Sequence, residues 1–138
     1  MIVVLLRHAA AGDRHEWDGD DSLRPLDERG RRQAEALRER LLSRGVRGVV
    51  SSPYTRCAET VAPLATALGV ELELDDRLAE GATRGDALAA LSSREGFVAC
   101  THGDVVETVL GRSLKKGAAA VLELDGGEAS IVETLKAP

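Results

Sequence analysis

Ile2–Leu6 is an unbroken run of five aliphatic residues, three of them β-branched, and it ends abruptly at Arg7-His8. A strand with one wet face alternates apolar and polar residues. A run with no polar position belongs to a strand covered on both faces, as in a parallel sheet with helices above and below. Val46–Ser51 and Phe97–Thr101 are further short strand candidates, and helical stripes separate them. After Asp27, a good N-cap, Ala34, Leu37, Leu41 and Leu42 fall at helical spacing, and Gly45 closes that element. Cys57, Val61, Leu64, Ala65 and Leu68 form the next stripe, ended by Gly69; Pro63 inside it predicts a kink or break near Thr60. Val70–Leu74 alternates apolar and acidic residues like an edge strand. Short helices are predicted over Asp86–Leu91 and Asp104–Leu110. Ala118–Leu124 and Ala129–Leu135 flank Asp125-Gly126-Gly127-Glu128, a strong hairpin signal. The expected fold is one α/β domain over residues 1–138, a three-layer α/β/α sandwich whose mainly parallel central sheet ends in an antiparallel C-terminal hairpin.

The composition is consistent with such a core and excludes several function classes. Apolar residues make up 43% and charged residues 30% of 138, which excludes a disordered chain. The apolar runs are of strand length, so no membrane span is expected, and MIVVLLRH has no basic leader region, so the cytoplasm is the expected compartment. Residues 1–69 carry eleven Lys/Arg against ten Asp/Glu, and residues 70–138 carry seven against thirteen. Halves of +1 and −6 argue against a duplex nucleic-acid partner, which would need many cations on one face. Trp17, Tyr54 and Phe97 are too few for a base-stacking platform. Cys57 and Cys100 match no metal-ligand spacing and read as two buried thiols.

Ligands of parallel sheets bind at the strand carboxyl ends, and three predicted strands end in polar residues of one chemical theme. The first strand runs into Arg7-His8, the second into Ser51-Ser52-Pro53-Tyr54-Thr55-Arg56, and the fourth into Thr101-His102-Gly103. Two guanidiniums offer rigid forks of N–H donors that match phosphoryl oxygens. A neutral imidazole beside them could attack phosphorus, and a second could stabilise the developing charge. Each piece has a plain alternative. Arg7-His8 could be a solvated loop pair. SSPYTRCAET could be a helix start with a Ser or Thr cap and Glu59 in the first turn. His102-Gly103 could be a turn, and Glu80 could be surface acidity. Together, at strand ends, they are hard to ascribe to chance. His15 has no such placement and reads as a solvated loop residue.

LLRHAAAG, SSPYTRCAET and THGD resemble the three motifs of the histidine phosphatase superfamily, the phosphoglycerate-mutase-like fold, over essentially the whole chain. The short length and LRPLDERG resemble the SixA-like branch of phosphohistidine phosphatases. The first-loop and second-motif segments are also similar to the phosphatase domain that follows a Nudix domain in some nucleotide-sanitising hydrolases; no Nudix segment is expected ahead of the first strand here. The resemblance implies His8 as the nucleophile forming a phosphohistidine intermediate. It implies Arg7, Arg56 and His102 as phosphoryl ligands, and Glu80 as proton donor. It implies no metal and no cofactor. Ala9 stands where the family usually has Gly, so an ordinary negative φ is expected there.

The function expected is therefore a metal-independent phosphatase with a phosphorylated substrate, first of all phosphohistidine on a protein. The alternative is a nucleotide or other small phosphoester. For that alternative Arg14 could grip a second phosphate and Trp17 could stack on a base, although Trp17 could equally be a half-buried loop anchor. Arg24 and Gly103 complete the candidate substrate contacts. A mutase is disfavoured because no inserted region could enclose a bisphosphorylated intermediate. A non-catalytic phospho-ligand module is the other class, although such a module would have no use for a nucleophile.

Overall fold

A computed structural model describes residues 1–138. Six strands, β1 (Ile2–Arg7), β2 (Gly48–Ser51), β3 (Leu72–Leu74), β4 (Phe97–Thr101), β5 (Ala119–Asp125) and β6 (Glu128–Leu135), form one sheet in the order β3-β2-β4-β1-β5-β6. β3, β2, β4 and β1 are mutually parallel, whereas β5 pairs antiparallel with both β1 and β6. Gly126 and Gly127, both at positive φ, make the tight turn between β5 and β6. The helices are α1 (Glu28–Leu42), α2 (Thr55–Leu68), α3 (Arg84–Ser92) and α4 (Gly103–Leu110).

The period of two along β1 builds the three layers. Val3 and Leu5 join Ala87, Ala90 and Leu91 of α3 and Val105, Val106 and Val109 of α4 in one cluster. Val4 and Leu6 point the other way and join Leu37 and Leu41 of α1 with Cys57, Val61, Leu64 and Ala65 of α2. The apolar run predicted to be covered on both faces is so covered, with Leu5 and Leu6 fully buried. Truncating either leucine to alanine would cost about 2–5 kcal/mol. No helix is long and apolar enough to cross a membrane.

The differences from the sequence reading are local. β3 is an edge strand, but it is shorter than Val70–Leu74. α1 ends on Ser43, and Gly45 turns the chain two residues later. α2 runs unbroken through Pro63. Proline there removes one backbone bond, to the Glu59 carbonyl, while packing on α1 and the sheet holds the rest of the helix. Neither Ser nor Thr caps α2: Tyr54 is the N-cap residue without a side-chain bond. Glu59 instead accepts from the Leu26 N–H at 2.8 Å, which ties the first loop to α2.

Candidate functional site

The C-terminal ends of β1, β2 and β4 meet at one edge of the sheet, and backbone bonds carry that alignment past the strands. The His8 N–H donates to Thr101 O and the Ser52 N–H to Cys100 O, each at 3.0 Å. On the other side the Gly117 N–H donates to both Arg7 O (3.1 Å) and His8 O (3.0 Å). Arg7-His8 is thus clamped between β4 and the segment that leads into β5. The Ala9 N–H donates to Thr60 Oγ1 at 3.0 Å, and the Ala10 N–H to Gln33 Oε1 at 2.9 Å, fixing the chain as it leaves β1. No residue other than glycine has positive φ, so Ala9 occupies its position without backbone strain.

His8 is only 5% exposed. Its Nδ1 lies 2.8 Å from the Ala9 carbonyl oxygen, an acceptor, so Nδ1 carries the hydrogen and Nε2 keeps its lone pair. Burial pushes the His8 pKa down to about 3; the Ala9 bond opposes this, and the nearby His102, Arg56 and Arg7 lower it further. The imidazole is therefore neutral, the state in which it can act as a nucleophile. The His102 ring is 5.6 Å from that of His8, centroid to centroid. Its Nε2 is 2.8 Å from Ser52 Oγ, and that oxygen accepts from the Tyr54 N–H at 3.2 Å. The Tyr54 ring stands edge-on against His102 at 4.6 Å, and Cys57 Sγ is 3.5 Å from His102 Nε2. Both cysteines are free and buried, and Cys57 also packs against a site residue.

The two arginines are held from behind. Arg7 Nη1 donates to Leu114 O at 2.8 Å, while its Nε is buried without a hydrogen-bond partner. A Cβ on Gly103 would lie 2.8 Å from Arg7 Cζ, so the missing side chain at the start of α4 is what lets the guanidinium lie there. Arg56 is completely buried, with Nη1 donating to Asp21 O at 2.8 Å and its guanidinium 5.0 Å from the Tyr54 ring centre. Its Nε and Nη2 have no hydrogen-bond partner, although Nη2 lies 3.1 Å from Asp21 Oδ2 in poor bonding geometry. A buried donor left unpaired costs about 1–3 kcal/mol. Arg7 lines the cavity at the imidazole, whereas Arg56 lies wholly buried behind it and lines neither cavity there.

Glu80 is brought to the same place. Its Oε1 accepts from Arg14 Nη2 at 2.8 Å and lies 3.5 Å from Arg56 Nη2. Asp104, on the first turn of α4, accepts from the Gly81 N–H at 2.8 Å and holds that loop over the sheet edge. Arg7, His8, Arg14, Glu80, His102 and Gly103 line one cavity of about 360 Å³. Arg24 is buried, donating to Asp21, Ala11 O and Gly12 O, so its donors shape the first loop. Trp17 stands apart: it is 37% exposed, donates to Asp20 O at 2.9 Å, and lines none of the cavities described here. A larger groove between α1 and α2, about 590 Å³, shares none of the site residues. His15 is exposed in the first loop. Sequence reasoning missed Ser52 as a partner of His102, Asp21 and Asp104 as supports, and Lys116, which lines a neighbouring cavity with Arg7 and His8. For Ser52 the available signal was its place at a strand exit; the others are loop or helix-start residues without a pattern.

The arrangement sets an uncharged imidazole nitrogen and the Arg7 guanidinium at one polar cavity, a geometry suited to an oxyanion. Known proteins agree. Residues 3–85 match the pattern of the histidine phosphatase superfamily, branch 1. An 8-oxo-(d)GTP phosphatase of Mycolicibacterium smegmatis is 34% identical over 155 residues, covering 99% of this chain and 48% of that protein. The chain thus spans about half the length of the curated relative it matches. Among solved structures, the protein histidine phosphatase SixA complexed with tungstate superposes with a TM-score of 0.81 at 21% identity, covering 99% of this chain and 97% of the other. A mycobacterial glucosyl-3-phosphoglycerate phosphatase in complex with VO3 gives 0.75 at 18% identity, covering 99% of each. At such identities these two likenesses speak for the fold. The family match speaks for more: the chain belongs to the histidine phosphatase superfamily.

Proposed function

We propose that this domain hydrolyses phosphorylated substrates through a phosphohistidine on His8, without a metal. The observation that carries the reading is the neutral His8 imidazole beside the guanidiniums of Arg7 and Arg56, whose Nε atoms have no hydrogen-bond partner. In the first step His8 Nε2 forms a bond to phosphorus as the bond to the leaving atom breaks, and that atom takes the electron pair. Arg7, Arg56 and His102 bind the equatorial oxygens, where charge builds in the transition state. Glu80, at the mouth and held by Arg14, donates the proton to the leaving group. Water then attacks the phosphohistidine, Glu80 takes its proton, and phosphate leaves.

Two substrate classes fit this chemistry. Protein phosphohistidine, the first expectation, is supported by the SixA likeness in fold alone. A small phosphoester of the nucleotide kind is supported by the 34% relative and by an adjoining cavity whose cationic lining suits a further phosphate, and we place it first. The test is turnover, with EDTA present, of a phosphohistidine protein, nucleoside phosphates and sugar phosphates. His8→Ala is expected to abolish turnover of all of them. Wild-type protein quenched during turnover is expected to retain acid-labile, base-stable phosphate. Turnover surviving in clean His8→Ala protein refutes the nucleophile assignment, and absence of any turnover by the wild type returns the domain to the class of phospho-ligand binders.

A further inference from the structure

A second cavity of about 450 Å³ opens beside the first and shares Arg7, His8 and Arg14 with it. Arg24, His15 and Lys116 are among its other walls, and no hydrophobic side chain lines it. Such a wall suits a charged group and offers nothing to a base ring. Arg14 is bonded to Glu80, and Arg24 to Asp21 and the first-loop carbonyls. Asp13, the one carboxylate in the lining, accepts from the His15 N–H at 2.8 Å. Lys116 makes no hydrogen bond and no ion pair through its ammonium group, although the wall around it is cationic. Burial and then Arg7, Arg24 and Arg14 lower its pKa, and Asp27 is the carboxylate that opposes them.

The position of Lys116 is set by the backbone of the site itself. It immediately precedes Gly117, whose N–H is bonded to the carbonyls of Arg7 and His8, and Leu114 O takes the Arg7 guanidinium. Lys116 is exposed, but its backbone is set by these neighbours. It starts from a point fixed relative to the nucleophile and faces the cavity next to it.

We infer that Lys116, with Arg14, forms a second phosphate subsite, so that the preferred substrates are diphosphates whose terminal phosphoryl group goes to His8 while the penultimate phosphate rests against Lys116. The inference rests on the reading of His8 as nucleophile and names the leaving group for it. The His8 Nε2–phosphorus bond forms and the terminal phosphorus–bridging oxygen bond breaks. The electron pair stays on the bridging oxygen, which leaves as an oxygen of the remaining phosphate monoester. Water then releases the terminal group from His8 as inorganic phosphate. In this pose the penultimate phosphate brings the charge of the departing oxygen to the Lys116 ammonium, and Glu80, which lines the first cavity and not the second, donates no proton to it.

Inorganic phosphate and pyrophosphate, titrated calorimetrically in EDTA, test the subsite without relying on turnover. Pyrophosphate is expected to bind about tenfold more tightly than phosphate, as one exposed-to-half-buried charge pair allows. Lys116→Gln is expected to remove that preference and Lys116→Arg to keep most of it. In parallel, the ratio of kcat/KM for ADP to that for p-nitrophenyl phosphate is expected to fall about tenfold in Lys116→Gln. Equal affinity of the wild type for the two anions, or a preference that survives Lys116→Gln, overturns the subsite. Turnover of p-nitrophenyl phosphate with no pyrophosphate preference discards the subsite alone. A Lys116-dependent preference in a protein that turns over nothing supports the subsite and discards the phosphatase reading.

Discussion

Gly103→Ala separates the chemistry of the site from the stability of the fold. The new methyl carbon would stand 2.8 Å from Arg7 Cζ, 2.9 Å from Nε and 3.0 Å from Nη2. Carbon atoms in comfortable contact are about 3.5–4.0 Å apart, so the guanidinium must retreat by roughly 0.7 Å or more. It cannot simply swing aside, because Nη1 is bonded to Leu114 O and the donor that must move is the unpaired Nε. A misplacement of order 1 Å at a reacting centre can cost about 10²-fold, so a fall in kcat/KM of about 10–100-fold is expected. Stability should barely change. Gly103 opens α4 with φ outside the left-handed region, where alanine is the better helix former, by up to about 1 kcal/mol. That gain offsets the cost of shifting a guanidinium held by a single bond to Leu114 O. Steady-state kinetics on p-nitrophenyl phosphate, with a thermal melt of the same protein, are the assay, and a Tm shift under about 4 °C is expected. Activity within threefold of wild type, in a protein that melts normally, refutes the placement of Arg7 against the phosphoryl group.

Glu80→Gln should slow hydrolysis of alkyl phosphates by roughly 10²–10⁴-fold but leave p-nitrophenyl phosphate far less affected, since p-nitrophenolate departs without a proton. Equal losses on both would make Glu80 a positioning residue. The lowered pKa of His8 means that the unfolded chain binds a proton the native one refuses between pH 6.5 and about 3. Stability contributed by the neutral ring is therefore complete above pH 6.5 and declines as pH falls towards 3, and denaturant titrations should show a shallower acid decline in His8→Ala. An identical pH dependence in the two proteins would contradict the burial of a neutral imidazole. Trp17→Ala should change kcat/KM for a nucleoside phosphate less than threefold, because the indole is tied to Asp20 O outside the cavity. A larger loss would show that the first loop folds over the substrate.

What could be read from the chain depended on whether a residue's partner lies within its own element. Phe97–Thr101 emerges as β4 with the bounds expected, because four of its five residues are fully covered and a short buried strand has no other way to look. The order of Arg7-His8, Arg56 and His102 at strand ends follows from parallel pairing, which was legible in the apolar runs. Pro63 misled because a helix held on two sides tolerates one missing backbone bond. Ser52 looked like a capping residue, and only the meeting of β2 with β4 turns its hydroxyl to His102. Asp21, Asp104 and Lys116 were not legible at all. Their contacts span 35, 23 and roughly a hundred positions, and no periodicity records a contact of that range.

β1 is the one strand with a parallel neighbour on one side and an antiparallel neighbour on the other. The nucleophile at its end therefore stands on a seam between two separately built neighbourhoods. His102 and Arg56 follow directly on β4 and β2 of the parallel half, whereas Lys116 comes from the short passage between α4 and β5. Grafting a different stretch between Gly111 and Gly117, with Leu114 kept to support Arg7, is thus a route to new substrate choice on an inherited reaction.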